Sequence, residues 1–408
     1  MIFDVKTNVK IAAIRTISII CLGLSLMVIV TSQANAESLV IWSSDQMYLR
    51  ALQESGKQFA ADTGVDVEVK SMADFNDIQA ALASKRQLPD IIIWPHNRFG
   101  MWAEEQVLKP VKPSKQIVKE LTDEWRSVSY AGDIYGYPIL LQGPTLIYNQ
   151  QLVKKAPKSW QDLQKLSESL SLQGKTAISW DYSNIYFSYP LISAEGGFLF
   201  ENTQQGWDIE SVGVNSDGAA AGMSVLKTLV ADKVVPEKTG YRQADQMFAR
   251  GQSAMTINGP WSWNNYKLSG IDLGVIPFPK VKSNYGKGLY TVMSAGITST
   301  SELDDLAQSF IEHYILSEKT LSALSSKYSP ALYTHKKFMK SYMKNLSVTD
   351  PDSAANLEVA VEIWAEGEPL PNVSSLPALN NHMAIAINAL VDGRMEISEA
   401  LDEVANNF

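Results

Sequence analysis

The chain has 408 residues, at the upper end of what one hydrophobic core organises, which favours two structural units. Apolar residues make up 45% and charged residues 19%, with 10 Trp and 16 Tyr, which excludes a disordered chain. A formal charge of -9 argues against a nucleic-acid partner, and the single cysteine, Cys21, excludes a disulfide framework or a cysteine-based metal site.

Residues 1–36 read as a secretory signal. Lys6, Lys10 and Arg15 give a positive start, Thr16 to Val30 is an apolar run, and Ala34-Asn35-Ala36 is a small-x-small cleavage site before Glu37. A membrane anchor is the rival reading, but spanning a bilayer takes about 20 apolar residues and this run ends in a cleavage motif. A lipoprotein signal needs a small residue before the cysteine, and Ile20 precedes Cys21. The mature chain, 37–408, is expected to be soluble and exported to the periplasm.

From Ser38 onward, short β-rich runs alternate with amphipathic stretches. Strands are predicted at 39–42 (LVIW), 65–70 (VDVEVK), 90–94 (DIIIW), 137–141 (YPILL), 145–149 (TLIYN), 253–259 (SAMTING) and 273–279 (LGVIPFP). Helices are predicted over 47–63, 76–84, 304–325, 352–364 and 378–405. Strands separated by single helices point to an α/β fold with a mostly parallel sheet and right-handed crossovers. No repeat or low-complexity linker interrupts the pattern.

Motifs for catalysis are lacking. The four histidines, His96, His313, His335 and His382, show no HExxH or other metal-ligand spacing, and there is no GxSxG elbow, P-loop or GxGxxG after a strand. His96, in WPHNRFG, follows a strand where a ligand could approach, but reads first as a turn histidine. No catalytic residue, metal ligand or cofactor is assigned. Paired acids such as Glu104-Glu105 lie on helical, solvent-facing stretches, and nothing selects a pair aimed at one bond.

The aromatic residues are more informative. Trp94, Trp180, Tyr186, Phe187, Tyr189, Trp261 and Trp263 fall at predicted strand ends or in the loops that follow, where open α/β sheets bind ligands. Aromatic faces beside amides and hydroxyls suit carbohydrate, which offers an apolar C–H face and a polar rim. A single tryptophan would more simply fill the core. In NGPWSW (258–263), however, Asn, Gly and Pro mark a turn, and two tryptophans there are hard to bury together.

At these residues the chain resembles the maltose/maltodextrin-binding family of bacterial ABC importers. The likeness runs through LVIW, GKQFAADTGV, LPDIIIWPHNRFG, YPILLQGPTLIYN, SYPLISAEGGF, AMTINGPWSW, SAGI and LPNV, in order. The resemblance implies a two-lobed periplasmic binding protein fold, each lobe a mostly parallel sheet flanked by helices, with a hinge of crossing strands. It places 37–141 plus 294–344 in one lobe and 145–290 plus 347–408 in the other. It further implies a monomer that takes a saccharide ligand into the cleft, closes on it and presents it to a membrane permease, without catalysis.

By the same resemblance, Trp94, Tyr186, Phe187, Tyr241 and Trp261 form the aromatic lining of the sugar site, and Arg98 is a sugar contact. The family's charged partners are replaced here. Gln46 and Met47 stand for an aspartate and a lysine, Asn97 for an aspartate, and Gln142 and Asn184 for glutamates. Asn380 stands for a tryptophan and Ala384 for an arginine. Amides offer one acceptor and two donors where carboxylates only accept. The ligand is therefore either a saccharide other than maltose or an α-glucan held by neutral groups. A secreted carbohydrate-active enzyme and a sugar sensor coupled to a chemoreceptor are the rival functions.

Overall fold

The computed structural model describes residues 38–44, 46–72, 80–81, 88–203, 206–325 and 330–407. The signal sequence and most of the helix expected over 76–84 lie outside this set. Two sheets organise the described chain.

The larger sheet begins with the strand Ser38–Ser43, which pairs in parallel with Asp66–Ser71 on one side and Ile91–Pro95 on the other. Ile91, Ile92 and Ile93 are fully enclosed, as an uninterrupted apolar strand requires when both faces are covered. In the larger sheet parallel pairing is confined to this flank and to the short edge strand Glu368–Pro369, so the sheet is mixed rather than mostly parallel. The strand Leu289–Ile297 inserts antiparallel between Ile91–Pro95 and Tyr137–Gln142, and Leu332–Tyr333 adds a further antiparallel edge. Leu289–Ile297 arrives from the second sheet rather than over a crossover helix, so nothing forces it to run parallel. Its register against Tyr137–Gln142 shifts where Met293 faces Leu140 and Ser294 faces Pro138, a residue with no N–H to donate to the ladder.

The smaller sheet has Ser253–Asn258 at its centre, buried at every residue. It runs parallel to Thr176–Ser179 and antiparallel to Thr145–Asn149, which in turn carries Leu273–Ile276 on its outer side. Pro277 and Pro279 stop that last strand three residues before its predicted end. The chain passes from the first sheet to the second through Gly143 and Pro144. A Cβ on Gly143 would lie 2.6 Å from the Leu289 carbonyl and 2.9 Å from Trp364 Nε1, so only glycine lets the two sheet connections touch. The short strand Glu368–Pro369 pairs with Leu289–Tyr290 at the same place.

Helices cover the sheets, and their starts follow ordinary capping chemistry. Ser159 and Asp162 form a reciprocal capping box before Trp160–Ser171, and Ser216 caps Asp217–Ala231. The helical pattern over 304–325 resolves into Asp304–Phe310, a π turn over Ile311–Ile315, and Glu318–Ser325. The pattern over 378–405 resolves into Leu376–Val391 and Ile397–Asn407, separated at Gly393, whose φ of 69° ends the first. Among the described residues no helix is long and apolar enough to cross a membrane.

Candidate functional site

Three elements bordering the smaller sheet converge on one aromatic wall. The first is the helix Ile185–Ser193. Asn184 caps it by accepting from the Tyr186 N–H at 3.1 Å, which fixes the helix start and sets Tyr186 and Phe187 in its first turn. The second is the helix Tyr241–Ala249, whose first residue leaves its ring 39% exposed. The third is the turn after Ser253–Asn258, where Pro260 opens a 3-10 turn and Trp261 and Ser262 complete it.

The rings meet in a chain. Tyr186 lies nearly parallel to Trp261, 17° apart with centroids at 6.4 Å, and Phe187 lies nearly parallel to Tyr241, 23° apart at 5.6 Å. Tyr186 and Phe187 meet edge to face at 5.4 Å. Trp261 Nε1 donates to the Tyr241 hydroxyl at 2.9 Å, which links the two pairs. Trp263, two residues on, is only 1% exposed. The turn therefore separates its two tryptophans, one into the core and one onto the wall. Gly259 makes this possible, since a Cβ there would fall 2.1 Å from Cζ3 of the Trp261 ring.

A second group stands at the end of the strand Ile91–Pro95. Trp94 is 7% exposed and meets Trp102 edge to face at 5.7 Å, within a small core cluster that includes Ile92 and Phe99. Asn97 and Arg98 follow in the 3-10 turn His96–Arg98, both half-buried. Loss of hydration lowers the pKa of Arg98 from its ordinary value. His96 itself is fully buried. Its Nδ1 accepts from the Val292 N–H at 2.9 Å, so its Nε2 carries the hydrogen and donates to the Leu370 carbonyl, also at 2.9 Å. Burial, opposed in part by that carbonyl, pushes its pKa down to about 4. His96 is thus a structural turn histidine that joins the return strand to the segment after Glu368–Pro369.

Gln142 ends the strand Tyr137–Gln142 directly opposite Thr291. The Thr291 hydroxyl donates to the Gln142 carbonyl at 3.3 Å and lies 3.4 Å from the Tyr186 hydroxyl, which sets Gln142 next to the wall. The structure therefore brings Tyr186, Phe187, Tyr241 and Trp261 together, with Asn184 at the start of the helix that carries the first two and Gln142 reached through Thr291. Trp94, Asn97 and Arg98 form the other group, on the larger sheet. Gln46 and Met47 lie in the helix Gln46–Thr63, and Asn380 and Ala384 in Leu376–Val391. The Asn380 Oδ1 is buried without a hydrogen-bond partner. Asn258 and Gly259 were legible in the sequence only as turn residues, while Thr291, Asp245 and Tyr266 carried no sequence signal.

Exposure across the wall is uneven: Phe187 is 5% exposed and packs into the core, Tyr186 and Trp261 are half-buried, and Tyr241 is exposed. A cavity of about 640 Å³ lies elsewhere, between Trp263–Leu268, Glu318–Ser325 and Lys336–Thr349. Its one lysine, Lys267, is held by Asp350 at 2.8 Å and by the Ser353 hydroxyl. The rings at its edge, Trp263, Phe338 and Tyr342, are buried in the core.

An α/β chain with an aromatic wall where strands end, backed by amides and hydroxyls, defines a small-molecule binding protein. Residues 54–341 match the family of bacterial extracellular solute-binding proteins, and the chain belongs to that family. It is 23% identical over 377 residues to a maltooligosaccharide ABC transporter solute-binding lipoprotein of Streptococcus pneumoniae, covering 88% of this chain and 86% of that one. It is 23% identical over 394 residues to a galactooligosaccharide-binding protein of Bacillus subtilis, covering 92% and 89%. Over 261 residues it is 27% identical to a maltodextrin-binding protein of the same organism, covering 61% and 62%.

Proposed function

We propose that the protein is the substrate-binding component of a carbohydrate ABC importer and takes a di- or oligosaccharide on the Tyr186–Phe187–Tyr241–Trp261 wall. Those four rings are the observation that carries the proposal. They gather from three separate elements, and the Asn184 amide, the Thr291 hydroxyl and the Gln142 carbonyl lie beside them. That combination matches the two-sided chemistry of a sugar ring. Relatives named for maltooligosaccharides and galactooligosaccharides support the same class of ligand.

In this proposal the two sheets are the centres of two lobes, 37–141 plus 294–344 and 145–290 plus 347–408. Trp94, Asn97 and Arg98 face the wall across the cleft, and closure about the Gly143–Leu289 crossing encloses the sugar. The loaded monomer delivers its ligand to a membrane permease. Removal of residues 1–36 releases it into the periplasm as a soluble protein that binds without turnover.

A sugar panel tests the proposal. A ligand at 100 times its dissociation constant raises stability by about 2.7 kcal/mol, which a thermal shift detects. The bound sugar should be recovered unchanged by chromatography. A panel with no stabilising saccharide removes the carbohydrate assignment, and a cleavage product above a heat-killed control moves the protein to the enzymes.

A further inference from the structure

A compact polar network braces the aromatic wall from behind, and we propose that Asp245 is a positioning residue for ligand binding, holding the plane of Trp261 without touching the ligand. The proposal rests on the wall being the sugar-binding face. Asp245 lies one helical turn after Tyr241 in Tyr241–Ala249. Its Oδ1 accepts from the Tyr266 hydroxyl at 2.6 Å and from Asn258 Nδ2 at 3.1 Å. The same Asn258 amide group also donates to Tyr266 at 2.8 Å, closing a triangle. On its other side, Asn258 Oδ1 accepts from the Gly259 N–H at 2.8 Å. Asp245 thus grips both ends of the 258–266 segment that carries Trp261.

Two further contacts from the same helix complete the brace. Tyr241 accepts from Trp261 Nε1, and Phe248 packs edge to face on Tyr266 at 4.7 Å. One helix therefore fixes the strand end, the indole and the following helix at once. Asn258 and Tyr266 are almost completely buried, so their polar atoms depend on protein partners. Burial, followed by the nearby Asp245 charge, raises the Tyr266 pKa, which keeps its hydroxyl protonated and donating. A carboxylate oxygen is suited to receive two donors at once. A stacking platform binds well only when its orientation is held by such supporting bonds.

The experiment labels the protein with 5-fluorotryptophan and assigns the Trp261 fluorine line by its loss in Trp261→Phe. Asp245→Ala should shift and broaden that line and weaken maltotriose binding at least tenfold, with a cooperative melting transition retained. Asp245→Asn keeps an acceptor oxygen and should recover most of both properties. An unmoved Trp261 line in folded Asp245→Ala overturns the proposal whatever the sugar does. So does a moved line with unchanged affinity for a sugar that the wild type binds. If Asp245→Ala does not fold, Tyr266→Phe carries the test, because it deletes one donor to the same oxygen and keeps the ring; an unmoved line there also overturns it. Failure of the wild type to bind maltotriose bears on the choice of sugar, while the fluorine line still decides the positioning.

Discussion

The indole Nε1 of Trp261 donates to the hydroxyl of Tyr241 at 2.9 Å, so two rings from separate elements are tied to each other. Tyr241 in turn lies parallel to Phe187, and Trp261 to Tyr186. Displacing any one ring removes a contact from at least two others. The wall should respond to substitution as a unit, with coupling between neighbouring variants.

Gly259 gives the sharpest test of that unit. Gly259→Ala sets a methyl group 2.1 Å from Cζ3 of Trp261, a contact the ring can relieve only by leaving its place. Overpacking of this kind costs about 1–3 kcal/mol. The variant should fold, melt earlier and bind its sugar at least tenfold more weakly by calorimetry. Wild-type affinity in Gly259→Ala would mean that the ring position does not matter to binding.

Trp261→Ala removes the platform itself. Stacking contributes about 0.5–1.5 kcal/mol beyond buried area, and loss of contact area adds to it. Affinity should fall tenfold or more, a change of about 1.4 kcal/mol. Because Trp261 is only half-buried, the fold should persist. An unfolded variant, together with wild-type fluorescence that ignores ligand, would place Trp261 in the core.

Strands were the most legible part of the sequence. Apolar runs such as Ile91–Pro95 and Thr145–Asn149 are enclosed on most sides, and local composition alone marks them. Leu289–Ile297 is not legible as a strand because Thr291, Ser294 and Gly296 break its apolar pattern, although it joins the two halves of the larger sheet. The four wall aromatics were legible as residue types, through turn chemistry at Trp261 and through resemblance at the others. Their mutual arrangement was not, since it depends on contacts 20 to 75 residues apart in sequence. Trp94 illustrates the ambiguity of a lone tryptophan: it ends a strand as expected, yet it packs edge-on into Trp102 and is mostly covered.

His96 should make stability depend on pH. Its folded pKa lies near 4 against an ordinary 6.5, so between these values the unfolded chain binds more protons than the native one. Its contribution is fully present above pH 6.5, falls as pH drops through this window and levels off below about 4. The difference is about 3 kcal/mol. Urea unfolding at pH 7 and pH 4.5 should show the loss, and His96→Gln should show less of it on a lower baseline. An identical acid slope in the variant would assign the effect to other groups.

Glu312 should matter to the fold and not to the ligand. It is 6% exposed, and its Oε1 accepts from the Ser114 N–H at 2.9 Å, the Gln308 amide at 3.0 Å and the Tyr137 hydroxyl at 3.1 Å. Glu312→Ala leaves three donors without this acceptor and should cost about 3 kcal/mol or more in urea unfolding. Sugar affinity per folded molecule should stay within about twofold, because a 0.4 kcal/mol change is the most a remote site should transmit. A tenfold affinity loss would show that this buried contact supports the binding face.

Specificity is where the site departs most from what its resemblance implies. Gln46, Met47, Asn97, Gln142 and Asn184 are neutral where charged residues were expected, and Asn380 and Ala384 replace a ring and a cation. The structure gives one of these amides a local task, since Asn184 Oδ1 caps the helix that carries Tyr186 and Phe187. A hydrogen bond to a charged group contributes about 1.5–3 kcal/mol and a neutral one about 0.5–1.5. Exchanging several should weaken maltose binding by a few orders of magnitude unless new contacts offset the loss. The cognate ligand is therefore expected to be another saccharide stacked on the same four rings. Calorimetry with maltose, maltotriose and a galactooligosaccharide, beside the best sugar from the panel, makes the comparison. Sub-micromolar maltose binding with no tighter sugar would show that the amides substitute fully for carboxylates, and that the aromatic wall rather than charge sets the choice of ligand.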